Sequence, residues 1–70
     1  MEVILKTTDI SVVTFVEMLF SSEGIPFHVL DRNMSVLEGS INIFPISVMV
    51  LDSDYDVARD ILEDNGISTT

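Results

Sequence analysis

The chain has seventy residues, no cysteine, and twelve acidic side chains against three basic ones, for a net charge of −9. That charge repels phosphate backbones and anionic membrane surfaces, which argues against direct DNA or RNA binding and against membrane attachment. Without cysteine, neither disulfides nor thiolate metal sites can staple the fold, so the 47% apolar residues must supply the core.

A chain this short forms one small domain, residues 1–70, and buries only roughly 60–65% of its unfolded surface. The opening "MEVILKTTDI" has too short an apolar run for a signal peptide. No apolar segment approaches the roughly 20 residues that span a bilayer. The reading is a soluble, cytoplasmic protein. Lys6, Arg32 and Arg59 are far apart in sequence, and none of the three glycines forms a phosphate-loop spacing.

Residues 2–7, "EVILKT", read as a strand rich in β-branched and apolar side chains. Asp9 is placed to cap a helix. On that helix Val12, Val13, Phe15, Val16, Leu19 and Phe20 fall within an arc of roughly 160°. Gly24 ends it, Ile25 folds back on the last turn, and Pro26 prevents continuation. Residues 26–30, "PFHVL", read as a second strand and 43–51, "IFPISVMVL", as a third, with Pro45 at a strand start or a bulge. A second helix runs from Asp54 to Asn65, capped by Asp52 or Ser53. It has a stripe of Val57, Ala58, Ile61 and Leu62 and an outer face of Asp56, Asp60, Glu63 and Asp64, broken by Arg59.

The halves echo each other in "SSEGIPF" and "EDNGIST". Strand, helix, strand, strand, helix and a short final "ISTT" give an α+β, ferredoxin-like βαββα(β) order. Both helices should lie on one face of an antiparallel sheet.

The polar stretch between strands two and three, "DRNMSVLEGS", carries Asp31, Asn33, Ser35, Glu38, Gly39 and Ser40. As a calcium loop it fails, because Val36 and Asn42 stand where Gly and a bidentate Glu are needed. Asp52, Asp54 and Asp56 with Glu63 come closer, but Val57 again replaces the essential Gly and belongs to a helix. His28 is the only histidine, so a zinc site would need carboxylates for its other ligands. No catalytic constellation is visible around His28, and neither metal nor cofactor is expected.

Strict alternation gives the sheet's second face Ile4, His28, Leu30, Met49 and Leu51, together with Ser47. That is more apolar than a solvated face should be. Scattered apolar exposure is the ordinary explanation. A partner or self-association surface is the sharper one.

"TTDISVVTFVEMLFSSEGIPFHVLDRNMSVLEGSINIFP" followed by "VMVLDSDYDVARDIL" resembles a small bacterial family of unknown function labelled "putative signal-transducing protein". The fold of that family is likened to the PII (GlnB-like) regulators. The resemblance spans about Leu5 to Gly66 and is most specific in "LDRNMSVLEGS". It implies a βαββα core, a long connection after strand two and, by fold analogy only, a partner-touching loop and an oligomer. By this resemblance, many relatives are expected to carry basic residues around Ile46 and Ser47. This chain does not, which argues against anion binding there.

The leading expectation is therefore a non-enzymatic regulatory module that docks a protein partner or itself through the 31–42 loop and the second sheet face. The alternative is a sensor that binds a polar small molecule with the same loop. An enzyme ranks last.

Overall fold

In the computed structural model, residues 1–31 and 45–69 are described. The elements follow in the order β1 (Glu2–Thr7), α1 (Ile10–Glu23), β2 (Phe27–Leu30), β3 (Ile46–Val50) and α2 (Tyr55–Asp64). A single turn of 3₁₀ helix, Asp52–Asp54, leads into α2.

The sheet runs β1-β3-β2, with β3 antiparallel to both neighbours. β1 and β2 are thus parallel to each other with β3 between them, which is the split βαβ arrangement. Both helices pack on the same side of this sheet. This is the α+β, ferredoxin-like order expected from the pattern. A fourth strand is not formed by Ile67–Thr69, which carry no regular structure.

The core is one cluster. Ile46, Val48 and Val50 contribute the inward side of β3, Val13, Val16 and Phe20 come from α1, and Ala58 and Leu62 from α2. Phe20 and Phe27 meet with ring centroids 6.0 Å apart at an interplanar angle of 51°. Tilted rings of this kind are favoured by their quadrupoles. No polar or charged residue is buried among those described.

Two corrections concern the helices. Phe15, placed in the apolar arc of α1, is 38% exposed, because Val13, Val16 and Phe20 already fill the space over the sheet. Val57, placed in the stripe of α2, is likewise exposed, because Ala58 and Leu62 face the core.

The start of α2 also differs from expectation. Neither Asp52 nor Ser53 caps it through a side chain. The 3₁₀ turn instead uses backbone bonds, with the N–H of Asp54 donating to the Leu51 carbonyl at 2.9 Å. Asp52 lies 3.8 Å from the Met1 amino group.

Ile4 needs a third correction. Alternation assigned it to the sheet's second face, yet it is fully buried. Val3 pairs with Met49 and Leu5 with Val48, so Ile4 is the extra residue of a β-bulge. The bulge turns Ile4 and Leu5 both inward and sends Val3 outward. It lets one strand give two consecutive side chains to the core, which helps a domain with little core to spare.

Candidate functional site: the outer sheet face

The face away from the helices is built by cross-strand register. Val3, Met49 and His28 form one row; Lys6, Ser47 and Leu30 form the next. Residues directly opposite on adjacent strands lie about 4.5–5.5 Å apart at Cβ, so each row is a contiguous surface. His28 and Lys6 are exposed, and Val3, Ser47 and Met49 are half-buried. Leu30 is 45% and Leu51 41% exposed. Leu51 follows β3 and precedes the 3₁₀ turn, so it borders the face rather than lying within a strand.

Of the expected sheet-face residues, then, His28, Leu30 and Met49 come together, Leu51 stands at the rim, and Ile4 is in the core. Val3 was missed. The signal for it was "VIL", three consecutive apolar residues that an alternating strand with one buried face cannot all bury. A run of that kind before a charged residue is a hint of a bulge.

The face carries no acidic side chain at these six register positions, although the chain has twelve. The carboxylates collect elsewhere. On α2, Asp56, Asp60, Glu63 and Asp64 point to solvent. Arg59 sits among them, 3.7 Å from Asp56 and 4.0 Å from Asp60. Exposed pairs of this kind contribute little to stability.

Asp31 is half-buried at the end of β2. Asn33, Ser35, Glu38, Gly39 and Ser40 of the expected loop lie outside the described residues. Among the described residues no group of three or more His, Asp or Glu side chains is arranged to hold a metal ion. No helix among them is long and apolar enough to cross a membrane.

A family model described as "Putative prokaryotic signal transducing protein" matches residues 1–66. The chain belongs to that family. No curated protein matches it. The match runs from Met1, just before β1, through the Gly66 that closes α2, so it takes in the three strands and two helices among the described residues. The family description names a class of role.

Proposed function

We propose that the chain is a non-enzymatic cytoplasmic regulatory module that docks a protein partner on its outer sheet face. The observation that carries the reading is the row Val3–Met49–His28 beside Leu30 and Leu51, an apolar surface that neither helix covers. Exposed apolar area that is contiguous and rimmed by polar groups is a recurrent mark of protein contact sites. The family's signal-transducing description supports it. Lys6 and His28 lie beside the apolar residues and give the face polar neighbours. The likeness to PII regulators supports a docking role as fold analogy.

The test is a pull-down from the source cell, followed by titration of the purified partner against wild type and a Leu30→Lys/Met49→Lys variant. Both positions point away from the core, so the variant should melt as wild type does. Binding should weaken at least about tenfold, which corresponds to roughly 1.4 kcal/mol and is typical of a central contact residue. Equal binding by a folded variant would sink the reading.

A further inference from the structure

The two edges of the sheet, β1 and β2, differ in how they end it. β1 is a guarded edge. It carries a bulge between Val3 and Leu5, and Glu2 and Lys6 are exposed along it. Bulges and charged side chains are the usual means by which an edge strand refuses a further strand. Its inward side chains Ile4 and Leu5 are already buried.

None of these devices lies within β2. Its residues, "FHVL", pair with β3 in unbroken register from Phe27–Val50 to Leu30–Ser47, and no Asp, Glu, Lys, Arg or Pro stands among them. On the side away from β3, every second residue turns its backbone N–H and C=O outward. Among the described residues no strand meets them. Burial shows the same gap. Val48 and Val50 of the central strand are fully buried. Val29 and Phe27, their direct partners on β2, point to the same side yet are only half-buried. Among the described residues the sheet stops there, and their outer flank has no neighbouring strand.

We infer that β2 is a docking edge for an extended segment of a protein partner, which adds a strand beside it. The inference concerns the edge of the strand and not the outer sheet face, so it stands or falls apart from the docking proposed there. Hydrogen bonding sets the occupant's backbone, because an extended chain presents donors and acceptors at the spacing of an open ladder. Phe27 and Val29 set its side chains. Apolar residues at alternate positions, on the side facing the helices, complete the burial of these two. Charge sets its ends. Glu23, exposed at the end of α1, precedes the strand and Asp31 follows it, in a molecule of net charge −9. Lysine or arginine flanking the apolar residues complements that surround. The β2 of a second copy does not, since laid antiparallel it would bring Glu23 of one copy toward Asp31 of the other. Four residues make a small contact, so the complex is weak and readily reversible.

The probe is a synthetic peptide with a Val-Thr-Val-Thr-Val core between lysine pairs. It is titrated into isotope-labelled protein at ~0.05 M sodium chloride and followed by amide NMR spectra. Expected is saturable binding with a Kd of about 1 mM or tighter, with shifts and slowed amide exchange centred on Phe27–Leu30. Glutamates in place of the flanking lysines should weaken binding at least about fivefold. N-methylating the peptide core, which keeps its side chains and removes its N–H donors, should do the same. Glu23→Lys should weaken binding at least about threefold without lowering the melting temperature, because a cation suits the C-terminal end of a helix. Glu63→Lys on α2 makes the same change of net charge away from β2 and should retain binding. No binding at ~2 mM peptide, shifts centred on β1 or α2, equal binding by the N-methylated peptide, or equal weakening by Glu63→Lys overturns the inference.

Discussion

Asp9 shows how much one side chain does at the start of α1. Its Oδ1 accepts from the Ser11 backbone N–H at 2.9 Å and from the Ser11 hydroxyl at 2.7 Å. Its own N–H donates to Thr7 Oγ1 at 3.1 Å. The Ser11 hydroxyl, then the Ser11 backbone N–H, stabilises the carboxylate and holds its pKa below the ordinary value of 3.8. A depressed pKa means stability that is present above the unfolded-state value and is lost as pH falls through the folded one. Asp9→Ala should therefore lower the melting temperature at neutral pH, and the gap from wild type should narrow once the pH drops below that ordinary carboxylate value. Asp9→Asn should recover most of the loss at neutral pH, because an amide oxygen still caps. Thermal melts across an acid pH series check both. A gap that stays constant with pH would mean the carboxylate's charge plays no part.

The helices end by the same device. Gly24 has φ of 72° and Gly66 of 77°. After α1, the N–H of Ile25 donates to the Phe20 carbonyl at 2.9 Å and that of Gly24 to Ser21 at 3.3 Å. After α2, Ile67 donates to Leu62 at 2.9 Å and Gly66 to Glu63 at 3.1 Å. Each is the paired closing motif that a left-handed residue permits, and each returns an isoleucine to the core after a fully buried Phe20 or Leu62. A Cβ built at either glycine meets nothing within 4 Å. The cost of substitution is therefore conformational rather than steric. Gly24→Ala and Gly66→Ala should each destabilise by about 1–2 kcal/mol, with Asn costing less at both sites. Denaturant unfolding measures this. An alanine at either site that costs nothing would contradict the left-handed closure. The "EGI" and "NGI" repeats in the sequence are legible as these closures because glycine's role here is local and needs no partner.

Across the whole molecule, charge is unbalanced, at a net −9. The ion pairs of Arg59 and of the Met1 amino group are solvent-exposed and long, at 3.7–4.0 Å. Net self-repulsion should outweigh them. Raising salt from ~0.01 M to ~0.5 M should raise the melting temperature, by about 4–8 °C for each kcal/mol of repulsion removed. The measurement belongs at low protein concentration, so that self-association does not enter it. A falling melting temperature would show that the ion pairs dominate.

Local sequence sufficed for the order of elements, the ends of α1, the glycine closures and the inward side of β3. These depend on period, caps and backbone freedom within a few residues of each position. Which apolar residues are left over is set by long-range packing. Ile4 moved to the core because a bulge in β1 broke the two-residue alternation. Phe15 and Val57 were left outside because a three-stranded sheet is filled by fewer side chains than two apolar helices present. An amphipathic pattern states which residues could be buried. How many are buried depends on the area of the surface they meet, and no single segment contains that area. The exposed apolar side chains of α1 are a product of that limit, whereas His28, Leu30 and Met49 reach the outer sheet face by the alternation of their strands.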